Sequence, residues 1–253
     1  MKMIALVTGA TSGIGKAIAT MLAKNNWNLI ITGRRLQRLI ELQKQLNENF
    51  GVEVKILNFD IRNLLETYEV LKGLEEKWLE IDLLVNNAGL AAGLENFFEA
   101  DLKNWERMID TNIKGLLYVS KFVAPLMIKR NKGHIINISS IAGKEVYPKG
   151  NVYCATKHAV EALTKSMRME LLAYNIKVTS IAPGMVETEF SLVRLEDEQK
   201  AKDVYKGFEP LMAEDIANVV EFIIKQPAHV NINDITVMPT SQASSTIVKR
   251  KQE

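Results

Sequence analysis

Short apolar runs alternate with longer segments of helical periodicity along the whole sequence, and this alternation limits the possible folds more than any other feature. The runs lie at 3–7, 29–32, 52–57, 83–85, 135–138, 178–181 and 235–238. Because tight turns cannot join parallel strands, strands separated by helices predict a parallel sheet with helices on both faces. We therefore expect an α/β fold in which residues 1–253 form one doubly wound domain around a seven-stranded parallel sheet.

The composition is that of an ordinary globular protein and excludes several classes. Of the 253 residues 47% are hydrophobic, and the single cysteine, Cys154, has no disulfide partner within the chain. The three histidines lack the spacing of metal ligands, so we predict no metal site. A net charge of +2 argues against a nucleic-acid partner, and the apolar stretch from Met3 to Val7 is too short for a signal peptide or a membrane span. We expect a cytoplasmic protein.

A glycine-rich turn follows the first predicted strand and precedes a helical run from Lys16 to Lys24. Its glycines are Gly9, Gly13 and Gly15, with Thr11, Ser12 and Ile14 between them. Glycines allow backbone N–H groups to approach a pyrophosphate, which the partial positive charge of the helix N-terminus also favours. The spacing differs from GxGxxG and also suits a simple turn, but its context predicts a dinucleotide site in a Rossmann-type domain.

The second predicted strand ends at Arg34 and Arg35, where an acidic residue would bind the ribose 2′-OH of NAD. Two guanidinium groups instead suit a 2′-phosphate, so we predict that NADP(H) is preferred over NAD(H). The alternative is a solvated arginine pair. Asp60, after the third strand, is expected either to bind the adenine amino group or to cap its own loop.

Tyr153 and Lys157 are four residues apart in a segment of helical periodicity, so their side chains share one helix face. An ammonium group near a phenol lowers the phenol pKa and makes proton transfer to or from an alcohol feasible. Such a pair also occurs by chance. Ser139 and Ser140 end the fifth predicted strand, at the sheet edge where ligands bind, and either hydroxyl can position a substrate oxygen.

Taken together, these motifs resemble the short-chain dehydrogenase/reductase family. The resemblance rests on Thr8-Gly9-x-x-x-Gly13-x-Gly15, Asn86-Asn87-Ala88-Gly89, Asn112, Ser140, Tyr153-x-x-x-Lys157 and Pro183-Gly184. It implies that Tyr153 is the general acid/base, that Lys157 lowers its pKa and binds the nicotinamide ribose, and that Asn112 supports a water relay. It also assigns the substrate oxygen to Ser140. The further cofactor contacts that it implies are Ile61, Asn87, Ala88, Gly89, Pro183, Gly184, Val186 and Thr188.

Three longer strings are similar to one branch of this family, the NADP-dependent 3-hydroxy acid dehydrogenases that also oxidise serine and allo-threonine and reduce malonic semialdehyde. They are 86–91, 188–194 and 227–233. The polar stretch at about 187–210 is expected to be a lid, and Arg194 within it would bind the substrate carboxylate. The alternative for Arg194 is a surface ion pair with Glu196 or Asp197.

Two other functions remain possible at this point. One is a reductase of the same fold that acts on an acyl thioester or a bulky ketone. The other, which an intact Asn112, Ser140, Tyr153 and Lys157 set disfavours, is a non-catalytic NADP-binding sensor.

The segments 105–129 and 151–173 carry many apolar residues, among them Leu116, Val119 and Val123. This excess predicts a helix–helix subunit interface, and the family resemblance implies a homotetramer; a deep sheet-facing core would give the same pattern. The basic tail, Lys249 to Lys251, is expected to be a solvated end.

Overall fold

The computed structural model describes residues 2–251 and contains the seven predicted strands. They are β1 (Ile4–Val7), β2 (Asn28–Gly33), β3 (Val54–Asn58), β4 (Ile81–Asn86), β5 (Gly133–Ile138), β6 (Ile176–Pro183) and β7 (Asp234–Val237). All neighbouring strands pair in parallel in the order β3-β2-β1-β4-β5-β6-β7. The prediction of one α/β domain with a seven-stranded parallel sheet is confirmed.

Helices connect the strands and cover both faces of the sheet. They are α1 (Gly13–Lys24), α2 (Leu36–Phe50), α3 (Leu64–Lys72), α4 (Leu102–Ile109), α5 (Leu116–Arg130), α6 (Asn151–Leu171), α7 (Phe190–Leu195), α8 (Glu198–Asp203) and α9 (Ala213–Ile224). One face packs its core against α1, α2 and α9, and the other against α3, α5 and α6. No described helix has the length and apolar character needed to cross a bilayer.

The strand order reverses direction beside β1, because the chain moves outward to β3 and then returns to the other side of β1 at β4. In open parallel sheets a crevice forms at this reversal, outside the carboxyl ends of the strands. The glycine turn after β1 and the Asn87–Gly89 loop after β4 therefore lie side by side in the lining of one cleft.

Two segments contain secondary structure that the sequence did not predict. The predicted helix 105–129 is divided by a π-helix at Asp110–Gly115, where an extra residue per turn places Asn112 in the interior. Residues 187–210, the polar stretch expected to be a lid, contain the short helices α7 and α8. Single-turn helices of this kind leave little periodic signal in a sequence.

The apolar residues that suggested a subunit interface are buried within the single chain. Leu116, Val119 and Val123 are buried, the last two completely, and both valines belong to the core beneath the sheet. They are thus explained by the sheet-facing alternative. Exposed apolar side chains do occur elsewhere on these helices, including Leu102, Met169 and Leu172, which are 66%, 73% and 74% exposed.

Candidate active site

The glycine turn is fixed by the loop that follows β4. The Thr8 hydroxyl accepts hydrogen bonds from the backbone N–H groups of Asn87 and Ala88, both at 3.0 Å, and the Asn87 amide donates to the Thr8 carbonyl at 2.9 Å. Gly9 has a φ of +67°, and a Cβ there would lie 2.9 Å from the Ala88 Cα. Only glycine permits both the conformation and the approach.

Helix α1, which follows the glycine turn, begins at Gly13, three residues earlier than predicted, and φ at Gly13 is +50°. Its first N–H groups consequently end at the cleft, at the positive end of the helix dipole. Gly15 lies behind the cleft wall, where a side chain would collide with Asn87 and the Gly9 carbonyl. Gly15 therefore has a packing role.

The two predicted phosphate-binding arginines have different surroundings. The Arg34 side chain is 56% exposed, and its Nη1 lies 3.9 Å from Asp60. Arg35 is bound on several sides: its Nη2 donates to the Thr11 and Ser12 hydroxyls at 2.8 and 2.7 Å, and its Nη1 donates to Glu189 at 2.7 Å. Both arginines line the cleft.

Asp60 has the loop-capping geometry that the sequence left open as its second role. Its Oδ1 accepts the Arg62 backbone N–H at 3.1 Å, and both carboxylate oxygens lie 3.0 Å from Arg62 Nε. Hydrogen bonds and charge from Arg62 outweigh the effect of burial and lower the Asp60 pKa. The carboxylate stays charged and largely satisfied by its own loop.

At the other end of the cleft, the side chains predicted to be catalytic are buried. Tyr153 and Lys157 lie on the first turns of α6 and are 7% and 6% exposed. Lys157 Nζ donates to the Ile138 carbonyl at 2.9 Å and lies 6.0 Å from the centre of the Tyr153 ring. The Phe190 ring packs on Tyr153 with a centroid distance of 5.7 Å.

Burial controls the protonation of both groups. Desolvation raises the Tyr153 pKa above its usual value, while the Ser140 hydroxyl and the positive charge of Arg194 lower it in part. Desolvation lowers the Lys157 pKa to about 8, against the opposing influence of Glu161. Arg194 is therefore a cation that lowers the Tyr153 pKa here, and the same effect of Lys157, which the family resemblance implies, stays a prediction.

Asn112 fixes the loop after β4 to the catalytic helix. Its Oδ1 accepts the Leu90 N–H at 2.8 Å, and its Nδ2 donates to the Leu90 carbonyl at 2.8 Å and to the Thr156 hydroxyl at 3.0 Å. Both amide hydrogens are therefore in use. A water relay at Asn112 would have to use its main-chain atoms or the second lone pair of Oδ1.

The two serines after β5 are also distinguished by their contacts. The Ser140 hydroxyl caps the next turn by accepting the Ala142 N–H at 3.1 Å, and it lies 3.5 Å from the Pro183 carbonyl. Among residues 2–251 the buried Ser139 hydroxyl has no hydrogen-bond partner. Both residues line the cleft, and Ser140 is the one that acts on the Tyr153 pKa.

Arg194 lies at the far end of α7, beside the phenol. Its Nη1 donates to the Tyr147 hydroxyl at 3.0 Å and its Nε to the Gly93 carbonyl at 3.2 Å, and its guanidinium carbon is 5.6 Å from the centre of the Tyr153 ring. Within residues 2–251 neither alternative ion pair is formed: Glu196 lies 3.9 Å from Arg107, and Asp197 lies 3.4 Å from Lys200. Two basic side chains, Arg194 and Lys157, thus lie within 6.0 Å of the centre of the Tyr153 ring.

One cleft brings together nearly all the predicted site residues. Those that line it are Gly9, Thr11, Ser12, Gly13, Ile14, Arg34, Arg35, Asp60, Ile61, Asn87, Ala88, Gly89, Ser140, Tyr153, Lys157, Pro183, Gly184, Val186 and Thr188. Gly15, Asn112 and Arg194 lie outside its lining and act through the contacts described above. The sequence missed Glu189 and Phe190, whose importance depends on contacts with residues far away in the chain.

Comparisons with known proteins agree with this geometry. Residues 3–199 match the family model for short chain dehydrogenase. A probable NADP-dependent dehydrogenase of Haemophilus influenzae is 47% identical, with 98% of each chain covered, and the NADP-dependent 3-hydroxy acid dehydrogenase YdfG of Salmonella typhi is 46% identical, with 95% of this chain and 96% of that protein covered.

The fold is also similar to that of solved structures. The closed form of serine dehydrogenase complexed with NADP+ superposes with a TM-score of 0.92 at 43% identity, covering 99% of this chain and 100% of the other. The family predicted from the glycine turn, the serine and the Tyr153–Lys157 pair is confirmed. The chain belongs to the short-chain dehydrogenase family.

Proposed function

We propose that this protein is an NADP-dependent oxidoreductase that interconverts small 3-hydroxy acids, such as serine, allo-threonine, 3-hydroxybutyrate or 3-hydroxyisobutyrate, and the matching semialdehydes or ketones. The observation that carries this proposal is the buried Tyr153 placed between Ser140, Lys157 and Arg194. A proton carrier and a hydroxyl that can position an oxygen thereby line one end of the cleft, and a cation for a carboxylate lies beside them. The similarity to proteins named for NADP and hydroxy acids supports the same reaction.

The cleft has the groups that NADP requires. The Gly9–Ile14 turn and the first N–H groups of α1 would hold the pyrophosphate, and Arg34 and Arg35 would hold the 2′-phosphate. A side chain at Gly89 would come 3.3 Å from Asn112 Oδ1 and 3.5 Å from Lys157 Nζ, so the glycine keeps the space before Lys157 open for a ribose. When bound, the nicotinamide gives or accepts the hydride.

Tyr153 would exchange the proton with the substrate oxygen at its hydroxyl. Because burial raises its pKa, the phenol is protonated near neutral pH and is ready to donate a proton to a carbonyl oxygen during reduction. In the oxidation direction it must first lose that proton. The positive charge of Arg194, close to the phenol ring, stabilises the phenolate, and the rate of oxidation should therefore rise with pH.

Arg194 would bind the substrate carboxylate. Its present hydrogen bonds go to neutral oxygens of Tyr147 and Gly93, and within residues 2–251 it forms no ion pair. A guanidinium that is partly buried without a counter-ion favours an anionic ligand. The segment 187–210 would act as a lid, since α7 brings Arg194 and Phe190 to Tyr153 and can withdraw them together.

The proposal is tested by measuring NADP+ and NAD+ reduction with serine, allo-threonine, 3-hydroxybutyrate, 3-hydroxyisobutyrate and a neutral secondary alcohol. We expect turnover of the acids with NADP+, and Arg194→Ala should raise KM for the acids while leaving KM for the alcohol unchanged. Arg107→Ala, which alters an arginine that contacts the same lid, is the matched control. Turnover confined to the neutral alcohol would overturn the substrate class.

We also propose that the enzyme is a cytoplasmic homotetramer. Support comes from the free cysteine, Cys154, and from the exposed apolar residues Leu102, Met169 and Leu172 on α4 and at the end of α6. Light scattering coupled to gel filtration should give four times the mass of the chain. A monomer at micromolar concentration would contradict the proposal.

A further inference from the structure

The proposed lid, residues 187–210, begins in contact with the glycine turn. Thr188 is the residue that a side chain at Gly13 would contact tightly, with the Thr188 Cγ2 3.1 Å from the Cβ position. The next residue, Glu189, precedes α7, whose other end carries Arg194. The base of the lid is thus in contact with the loop that surrounds the cofactor phosphates in the proposed function.

Glu189 forms an ionic bridge from the lid to α2 and the turn before it. Its Oε2 accepts from Arg35 Nη1 at 2.7 Å, and Arg38 Nη1 donates to both of its oxygens, at 2.6 and 2.9 Å. The two arginines outweigh the effect of burial and lower the Glu189 pKa, so the group is a carboxylate. We call Glu189, Arg35 and Arg38 the Glu189 bridge.

The members of the bridge are not equivalent. Arg35 also donates through Nε and Nη2 to hydroxyls of the glycine turn, which places it where a 2′-phosphate would arrive. Arg38, one helical turn along α2, lines no part of the cleft and binds both oxygens of Glu189 by itself. The lid can therefore keep its attachment to α2 even if Arg35 turns to another anion.

We propose that Glu189 is a cofactor-specificity residue: its carboxylate competes with the 2′-phosphate of NADP for Arg35, and Arg38 holds the lid in place when Arg35 is given up. With NAD, which has no 2′-phosphate, the Glu189–Arg35 contact persists. The inference rests on the proposed function in one respect, the placement of the 2′-phosphate at Arg34 and Arg35. It adds a residue from the lid to the part of the molecule that distinguishes the two cofactors.

The test measures the Kd of NADP+ and of NAD+ by calorimetry, without substrate, for the whole protein and its variants. Glu189→Gln keeps the size of the side chain and removes its charge, so the ratio Kd(NAD+)/Kd(NADP+) should rise about three- to tenfold. Arg38→Met leaves Glu189 to Arg35 alone, and the ratio should fall. Glu198→Gln, an exposed acid of α8 in the same lid, is the control and should leave the ratio unchanged.

An unchanged ratio in Glu189→Gln, or a change of the same sign in Glu189→Gln and Arg38→Met, would overturn the inference. Arg34→Ala distinguishes this failure from a failure of the proposed function. If Arg34→Ala lowers the ratio while Glu189→Gln does not raise it, the cofactor site stands and Glu189 has no part in specificity. If neither variant changes the ratio, the 2′-phosphate is bound elsewhere.

The attachment of the lid has its own readout. Amide hydrogen exchange in α7 of the NADP+ complex should be faster in Arg38→Met than in the wild type, because Arg38 is then the remaining tie between the lid and α2. Equal exchange rates would overturn the role of Arg38.

Discussion

The two ends of the cleft differ in the exposure and pairing of their charged groups. At the phosphate end the charges are exposed and paired, with Arg34 56% and Glu189 39% exposed. At the catalytic end Tyr153 and Lys157 are buried, and the Lys157 ammonium donates to a neutral carbonyl. Water screens the first group of interactions, whereas desolvation dominates the second. Mutations at the two ends should therefore change different measured quantities.

The largest effect is expected at the catalytic end. Tyr153→Phe keeps the ring that packs on Phe190 but removes the exchangeable proton, and kcat should fall by roughly 10²- to 10⁴-fold. The Kd of NADP+ should change by less than about twofold, because the phosphate groups bind at the other end. Substantial remaining turnover would assign the proton transfer to another group.

A smaller effect is expected at the phosphate end. Arg34→Ala removes the arginine that is not engaged with the lid, and NADP+ binding should weaken about ten- to thirtyfold with NAD+ binding unchanged. Titration with each cofactor measures this difference. Arg62→Ala is a useful comparison, since that arginine also binds Asp60 but lies outside the cleft lining. Equal losses for both cofactors would show a structural defect.

The comparison also predicts a gain of stability at the catalytic end. Burial lowers the Lys157 pKa from 10.5 to about 8, so at pH 7 the folded state carries a charge that the unfolded state solvates better. Lys157→Met should raise the free energy of unfolding at pH 7 by about 1–2 kcal/mol, after allowance for the lost hydrogen bond to Ile138.

The stability difference between Lys157→Met and the wild type should depend on pH. Between pH 8 and 10.5 the unfolded wild type holds more protons on Lys157 than the folded state does, so wild-type stability gains from this group as pH rises. The advantage of Lys157→Met should accordingly be full below pH 8 and disappear toward pH 10.5. Denaturant unfolding at several pH values measures it, with Lys165→Met on the same helix as the control. A constant advantage would exclude titration of Lys157 as the cause.

The smallest effect is that of salt. Raising the ionic strength from about 0.05 M to about 0.5 M should weaken NADP+ binding about two- to fourfold, because the phosphate end is exposed to screening. Binding of NAD+, which lacks the 2′-phosphate, should change less. The kcat at saturating cofactor should stay nearly constant. A large fall in kcat with salt would contradict the contrast between the two ends.

The sequence predicted the parts of the molecule that depend on local pattern. The five inner strands, β1, β2, β4, β5 and β6, are near-continuous apolar runs because both faces of a parallel sheet are buried there, whereas the edge strand β7 has no buried residue. The glycine turn is recognisable because its conformation requires glycine. Tyr153 and Lys157 share one helix face and so could be paired from their spacing alone.

The sequence could not predict contacts between distant segments. Glu189 lies 154 residues after Arg35, and neither residue carries a local sign of the other. The basic tail is a further example. Arg250 is exposed, as predicted, yet its guanidinium donates to the carbonyls of Val204 and Lys206. The Lys251 N–H donates to the Gly207 carbonyl at 2.7 Å. Arg250 and Lys251 thus bind the segment at the end of the lid.

Helix α7 is only six residues long, and it has Glu189 immediately before its first residue and Arg194 near its last. A rise of about 1.5 Å per residue separates the two by less than about 10 Å on one rigid element. The consequence is kinetic order: a cofactor that draws Arg35 away from the base of α7 also acts on the position of Arg194 at its other end. We expect the cofactor to add before the substrate and to leave after the product.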